Sequence, residues 1–256
     1  MSLPILYHHI QGKGTPLIIL HGLLGSSDNW QSLARAWSAH FQVISVDLRN
    51  HGRSFHHHEM NYPMMAEDIT RLIQQLQLSA YHVIGHSMGG KLLMEYLKNP
   101  LPGLKRSMVL DISTRGYSGA HDRILNAMVN LPLNNLSSRG ALNDWLSDPI
   151  PEFAIRQFIL KNVVRDANGK FIWRIHLESI LKNYPSIAGP ILYQHPVLQE
   201  IWFLRGSLSD YIQDDDMADL SDIFKNMRLL TIEGAGHWIH VDTPEILSKY
   251  IHELMK

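Results

Sequence analysis

The chain has 256 residues, enough for one α/β domain with an inserted subdomain and a large buried core. Its 23 basic and 24 acidic residues leave a formal net charge of −1, so no overall field favours nucleic acid or an anionic membrane as partner. The chain contains no cysteine, which excludes disulfides, thiolate metal sites and a thiol nucleophile.

Short apolar runs alternate with helical patterns at the start of the chain, as is typical of βαβ units and a mostly parallel sheet. Residues 5–10 are predicted as an edge strand, and residues 17–20 as a strand buried on both faces. A third strand, 42–46, leads into the loop 47–54. Residues 64–76 repeat apolar side chains at helical spacing and should face the sheet.

The pentapeptide G-x-S-x-G at residues 85–89 lies between an apolar run at 81–84 and a helical pattern at 91–98. A serine on a sharp strand-to-helix turn holds strained backbone angles, and the flanking glycines let neighbouring chains approach closely. The turn exposes the hydroxyl at a helix N-terminus, whose amides favour a developing oxyanion. The pattern predicts Ser87 as a nucleophile.

Two further turns supply partners for such a serine. The strand 17–20 ends in a His-Gly turn, which usually provides the second oxyanion donor, so the backbone N–H groups of Leu23 and Met88 are predicted to form the oxyanion hole. The apolar run 229–232 is followed by a glycine-rich loop that carries His237. That histidine can reach over the sheet to the serine as a general base.

The third member of the site should be an acid at the C-terminal end of a neighbouring strand, where it can orient the imidazole and stabilise its cation. Asp111 directly follows the apolar run 107–110, and Asp210 follows the run 201–204. Asp111 is favoured, and Asp210 is the rival acid. Ser209 is a candidate hydroxyl partner near the triad.

His86 and Trp238 are the sequence neighbours of the predicted nucleophile and base. Both are candidates for supporting the triad or lining a substrate pocket. His86 is interpreted as a packing or hydrogen-bonding residue rather than a second base.

These motifs resemble those of the α/β-hydrolase superfamily, and more closely those of the small YbfF-type bacterial esterases and their mitochondrial relatives. The resemblance is carried by residues 21–26, 47–54, 85–90, 111–113 and 234–238. The pair Asn50-His51 narrows the choice, since the wider superfamily more often has glycine at the place of Asn50. Most of the superfamily carries its acid where this chain has Ser209, and a serine there, with the acid on the preceding strand end, is a feature of the esterase group. The resemblance therefore supports Asp111.

The resemblance implies an α/β-hydrolase fold, with a mostly parallel central sheet flanked by helices and an inserted helical lid. The expected division is residues 1–115 and 196–256 for the core and 116–195 for the cap. Helical pieces are predicted at 123–130, 138–145, 150–162 and 173–181. A lid over the serine would exclude water and present apolar side chains to a substrate. Candidates for that lining are Leu131, Leu136, Trp145, Phe153, Phe158, Phe171 and Trp173.

The predicted chemistry is hydrolysis of a small-molecule acyl ester or thioester through Ser87, His237 and Asp111. The same set of residues can serve a C–C bond hydrolase, a cofactor-free haloperoxidase or a synthase of quinone biosynthesis, and a non-catalytic small-molecule binder is a further alternative.

No cofactor is expected, because the sequence shows no phosphate-binding loop or dinucleotide fingerprint. No metal is expected either, because the consecutive residues His56-His57-His58-Glu59 should not converge on one ion. Residues 1–7 do not resemble a secretion signal, and no run approaches the roughly 18 apolar residues of a spanning helix. We therefore expect a soluble, cytoplasmic monomer or homodimer without a membrane span.

Overall fold

A seven-stranded sheet forms the centre of the structure, a computed structural model that describes residues 4–117 and 119–255. Its strands are β1 (His8–Gln11), β2 (Thr15–Leu20), β3 (Phe41–Val46), β4 (Tyr81–His86), β5 (Leu104–Leu110), β8 (Ile201–Gly206) and β9 (Met227–Ile232). A separate hairpin consists of β6 (Val163–Arg165) and β7 (Phe171–Trp173). The order across the large sheet is β1-β3-β2-β4-β5-β8-β9. Only the edge strand β1 is antiparallel to its neighbour, β3.

Helices connect the strands and cover both faces of the sheet. They are α1 (Gln31–Trp37), α2 (Tyr62–Gln75), α3 (Met88–Tyr96), α4 (Asp122–Asn130), α5 (Arg139–Leu146), α6 (Phe153–Leu160), α7 (Leu177–Ala188), α8 (Asp216–Ile223), α9 (Ile239–Asp242) and α10 (Pro244–Leu254). A short 3₁₀ turn at Ser27–Trp30 precedes α1. The predicted α/β-hydrolase fold with a mostly parallel central sheet is confirmed.

Local sequence explains the central elements. Leu17 and Ile19 of β2 pack into the core on one face of the sheet, while Ile18 and Leu20 pack into the core on the other. This alternation gives a strand buried on both faces and accounts for its continuous apolar run. Helix α2 begins where Asn61 Oδ1 accepts a hydrogen bond from the backbone N–H of Met64, at 3.0 Å.

Two apolar cores lie on opposite faces of the sheet. One face is covered by α1 and α10, with Trp30 and Trp37 fully buried. The other face is covered by α2, α3 and the segment between β5 and β8. The nucleophile turn between β4 and α3 therefore lies in a part of the molecule that is packed on both sides.

The segment between β5 and β8 contains α4 to α7 and the hairpin of β6 and β7. The sequence predicted helix from residue 173 onward and no hairpin, and this was wrong. Residues 171–173 are Phe-Ile-Trp, which favour strand, and they pair with 163–165 before α7 begins. The predicted helix 150–162 begins only at Phe153, because Pro151 disfavours helical backbone angles at the preceding residue, Ile150.

None of the helices within residues 4–117 and 119–255 is both long and apolar enough to cross a bilayer.

Candidate active site

The predicted site residues come together at one edge of the sheet. Ser87 follows β4, Asp111 follows β5, and Ser209 lies three residues beyond the end of β8. His237 lies five residues beyond the end of β9. These strands are parallel neighbours, so their carboxyl ends meet at the same edge, where ligands of open α/β sheets bind.

Ser87 has the strained backbone that the turn motif predicts. Its φ is 53° and its ψ is −117°, angles that L-residues rarely adopt. The flanking glycines are needed for close packing: a Cβ on Gly85 would lie 2.2 Å from the carbonyl oxygen of Gly89, and a Cβ on Gly89 would lie 2.2 Å from that of Leu20. The turn therefore holds the serine in a fixed position at the start of α3.

Asp111 and His237 form the central polar contact of the site. His237 Nδ1 donates to Asp111 Oδ2 at 2.8 Å, and the aspartate is completely buried. The same carboxylate accepts the backbone N–H of Gly206 at 3.0 Å and the hydroxyl of Ser209. With its proton on Nδ1, a neutral His237 ring carries a free lone pair on Nε2.

The rival acid, Asp210, is oriented differently. Its side chain is exposed. Its backbone carbonyl accepts a hydrogen bond from the side chain of Arg115 at 2.6 Å. Gly206 allows the approach of the histidine loop to β8, since a Cβ there would lie 2.4 Å from the carbonyl oxygens of Ala235 and Gly236. The geometry thus brings Asp111, and not Asp210, to the imidazole.

His86 and Tyr211 hold the histidine loop from two sides. His86 Nε2 donates to the backbone carbonyl of His237 at 2.8 Å, and burial holds the pKa of His86 well below its ordinary value. Tyr211 stacks on the His237 ring with 3.7 Å between centroids. His86 is therefore a neutral hydrogen-bonding residue, and the stacking by Tyr211 was not foreseen because no local motif marks it.

The oxyanion-hole candidates lie beside the serine. Leu23 and Met88 both line a small cavity that also includes Ser87. Met88 is the first residue of α3, so its N–H has no acceptor within the helix. The structure thus brings the two residues predicted as oxyanion donors to a cavity that Ser87 also lines.

Two buried histidines fix the loop that carries Leu23. His51 Nδ1 donates to the carbonyl of Arg49, and its Nε2 accepts the N–H of Leu24 at 3.1 Å. His21 bonds to the carbonyl of Gly22 and accepts the N–H of Leu48 at 3.0 Å. Burial lowers the pKa of His51 to about 3, so its ring remains neutral.

Asn50 and Asn162 extend this network to the segment between β5 and β8. Asn50 Nδ2 donates to Ser179 Oγ at 3.1 Å, and Asn162 Nδ2 donates to the carbonyl of Leu24 at 2.8 Å. The sequence singled out Asn50 and His51 only through resemblance. Their structural role depends on contacts with residues 27 and 129 positions away along the chain.

A large cavity and a small one meet at Ser87. The large cavity has a volume of about 370 Å³, within the usual range for ligand sites, and both Ser87 and His237 line it. Trp238 also lines it and contacts Phe158, with ring centroids 5.4 Å apart. Of the seven apolar residues suggested as lid lining, Phe153 and Phe158 line this cavity. The other five pack in or against the core, as expected for most of the apolar residues of such a lid: Leu131, Leu136, Trp145, Phe171 and Trp173.

The small cavity has a volume of about 30 Å³. One of its walls is Lys91, a buried lysine whose Nζ donates to the carbonyls of Arg115, at 2.6 Å, and Gly189. Burial lowers the pKa of Lys91 to about 7. This lysine, which the sequence analysis did not single out, connects α3 to both ends of the segment that precedes β8.

One further cluster contains three of the four consecutive residues 56–59, without His56, whose ring stacks on His176. The side chains of His57, His58 and Glu59 bring one ligand atom each to within 4.8 Å of one another. Three of the four consecutive residues therefore converge. The cluster lies at the surface, with His58 and Glu59 exposed.

Comparison with known proteins gives the class of this fold and site. The family model described as alpha/beta hydrolase fold matches residues 15–138. Esterase YbfF of Escherichia coli is 32% identical over 250 residues, which covers 96% of this chain and 94% of that protein. The chain belongs to the α/β-hydrolase family, and its resemblance to YbfF-type esterases is confirmed.

Two further proteins are similar over nearly the whole chain. The sn-1-specific diacylglycerol lipase of Danio rerio is 37% identical and covers 93% of this chain and 78% of its own length. The solved structure of a marine microorganism esterase superposes with a TM-score of 0.95 at 39% identity, covering 98% of this chain and 99% of the other.

Proposed function

We propose that this protein is a serine esterase that hydrolyses acyl esters or thioesters of small molecules. The single observation that carries the proposal is the hydrogen bond between His237 and the buried Asp111. His237 also lines the large cavity together with Ser87, the residue with strained backbone angles at the start of α3. Similarity to proteins named as esterases and lipases supports the same chemistry. An imidazole oriented by a carboxylate is the arrangement that activates a serine hydroxyl.

In the first half-reaction, Ser87 Oγ attacks the carbonyl carbon while His237 Nε2 takes the hydroxyl proton. The tetrahedral intermediate then collapses, and the imidazolium gives that proton to the departing alcohol or thiol. Ser87 is left as an acyl ester. Asp111 keeps the ring in the required tautomer and stabilises its positive charge, but it does not take up the proton.

In the second half-reaction, water replaces the alcohol. His237 removes a proton from the water, hydroxide adds to the acyl carbon, and the same histidine returns the proton to Ser87 Oγ as the carboxylic acid leaves. The N–H groups of Leu23 and Met88 donate to the oxyanion in both halves. One such donor is worth about 10²- to 10³-fold in kcat.

The segment 116–195 is proposed to act as the cap of this site. It contributes Phe153 and Phe158 to the wall of the large cavity, and Asn162 binds the loop that carries Leu23. A cap of this kind keeps bulk water away from the acyl-enzyme and strengthens the polar contacts beneath it.

A fluorophosphonate probe tests the proposal. An activated serine displaces fluoride and becomes phosphonylated, so the peptide containing Ser87 should gain the mass of the probe. Labelling should disappear in Ser87→Ala and persist in Ser79→Ala, a matched change at an exposed serine. Wild-type protein that stays unlabelled at Ser87 would refute the proposal and favour a small-molecule binder.

A further inference from the structure

The two cavities that meet at Ser87 differ in size and in their relation to the base. They share Leu23, Ser87 and His121 as lining residues. His237 lines the large cavity of about 370 Å³ and is absent from the lining of the small cavity of about 30 Å³. The proposed base therefore forms part of the wall of the large cavity, whereas the small cavity is separated from its ring by Tyr211, which stacks on it.

Proton transfer decides which part of an ester goes to each side. When the tetrahedral intermediate collapses, the leaving oxygen or sulfur must lie within hydrogen-bond reach of His237 Nε2. The carbonyl oxygen is directed to the amides of Leu23 and Met88, so the acyl substituent must extend away from the histidine. Of the two cavities at Ser87, the small one is lined by both Leu23 and Met88 and not by His237, so it is the one that suits this substituent.

We propose that the small cavity is the acyl subsite and the large cavity the alcohol or thiol subsite, so that the preferred substrates are short-acyl esters of bulky apolar alcohols. This inference rests on the esterase function proposed above. It adds the substrate class, which neither the motif nor the comparisons assign.

Hydrogen bonds fix the walls of the acyl subsite. Tyr62 Oη donates to the carbonyl of Ile187 at 2.7 Å, and Tyr117 Oη accepts the N–H of Ser113 at 2.9 Å. Tyr184 Oη accepts the N–H of His121 at 3.0 Å. A water molecule needs about 10–15 Å³ of such a cavity volume, so the small cavity, at about 30 Å³, admits the two or three carbon atoms of an acetyl or propionyl group without rearrangement.

The alcohol subsite offers a much larger apolar surface. Its apolar lining includes Leu24, Trp30, Ile124, Phe153, Phe158 and Trp238. Each methylene that a substrate buries there strengthens binding about fourfold. An extended alkyl or aromatic alcohol therefore gains from this cavity, whereas an acyl chain of the same length has no room on the opposite side.

Two isomeric esters test the assignment directly. Octyl acetate and methyl nonanoate have the same molecular formula, and their leaving alcohols are similarly basic. They differ in which side of the ester carries the long chain: the alcohol in octyl acetate and the acyl group in methyl nonanoate. We expect kcat/KM for octyl acetate to exceed that for methyl nonanoate by at least about 10-fold, the factor that one excluded methylene can produce. Equal values, or a preference for methyl nonanoate, would overturn the subsite assignment while leaving the esterase function intact. Hydrolysis of neither ester, together with no probe labelling at Ser87, would overturn the esterase function and this inference with it.

Variants of the two walls complete the test. Ile187→Ala enlarges the acyl subsite and should lower the preference for octyl acetate by raising kcat/KM for methyl nonanoate. Phe158→Ala, on the other side, should lower kcat/KM for octyl acetate without any gain for methyl nonanoate. If Ile187→Ala does not fold, Ile187→Val gives a smaller change in the same direction. Folded Ile187 variants with an unchanged preference would contradict the proposal.

Discussion

At the scale of single residues, the site depends on which carboxylate reaches the imidazole. Asp111 receives three donors, from Gly206, Ser209 and His237, and each holds one of its oxygens in place. Asp210 points its carboxylate toward solvent. The carboxylate that orients His237 therefore comes from the end of β5 and not from Asp210 in the loop after β8.

We expect Asp111→Asn to lower kcat by about 10⁴-fold, because an amide at that place favours the wrong imidazole tautomer. Asp210→Asn is the matched control and should keep kcat within about twofold, as for surface substitutions in general. Hydrolysis of p-nitrophenyl acetate by both folded variants measures this. If Asp210→Asn is inactive and Asp111→Asn is active, the acid has been assigned to the wrong residue.

The sequence predicts much of the site at this scale because its motifs are local. In residues 85–89 the glycines are required by close backbone packing and the serine supplies the hydroxyl, so the motif can be read locally. The glycine-rich loop before His237 is likewise a local signal. Tyr211 and Lys91 escape prediction, since a ring stacked on His237 and a lysine bonded to two distant carbonyls leave no local pattern. The choice between Asp111 and Asp210 needed three-dimensional contacts for the same reason.

At the scale of elements, the loop between β2 and α1 is fixed by the loop that follows β3. His51 accepts the N–H of Leu24, and the adjacent Asn50 binds Ser179 on α7. The proposed oxyanion donor Leu23 is therefore held indirectly, by side chains that do not line the cavity. The segment between β5 and β8 reaches the same loop through Asn162.

We expect His51→Phe to lower kcat by about 10- to 100-fold with little change in KM, because an oxyanion donor acts mainly on the transition state. The change leaves the N–H of Leu24 buried without its acceptor, which costs about 1–3 kcal/mol of folding free energy. His82→Phe serves as control, being a buried histidine on β4 that does not line the cavity. Steady-state kinetics that change equally in both folded variants would argue against a positioning role for His51.

The sequence predicts the elements of the sheet better than those of the cap. The four residues 17–20 of β2 are all apolar and are buried on both faces of the sheet, so their pattern is unambiguous. The hairpin of β6 and β7 has only three residues in each strand, too few to show a period of two. Helices α4 to α7 were recognised as helical pieces, but their ends depend on proline and on packing against the core.

At the scale of the whole molecule, several histidines are buried without charge. Burial lowers the pKa of His51 and His240 to about 3 and that of His121 to about 4. His21 and His86 are shifted in the same direction by the same cause. In the unfolded chain these groups titrate near the ordinary value of about 6.5.

Stability should therefore fall as the pH decreases below about 6.5, because the unfolded chain then binds more protons than the folded protein. Each fully buried histidine costs up to about 2 kcal/mol at pH 5. The free energy of unfolding from urea titrations at pH 5, 6, 7 and 8 measures this loss. In His240→Phe an aromatic ring can still stack on Trp30, but one titrating group is lost. The number of protons taken up on unfolding, given by the slope of the unfolding free energy against pH, should therefore fall by about one. A free energy of unfolding that does not change between pH 7 and pH 5 would contradict the picture of neutral buried rings.

The most direct test of the account is the turnover of p-nitrophenyl acetate by Ser87→Ala. If the hydroxyl of this residue forms the acyl-enzyme, kcat should fall by at least about 10³-fold while the far-ultraviolet circular dichroism and the unfolding midpoint stay close to those of the wild-type protein. A folded Ser87→Ala protein that hydrolyses the ester at the wild-type rate would contradict the account.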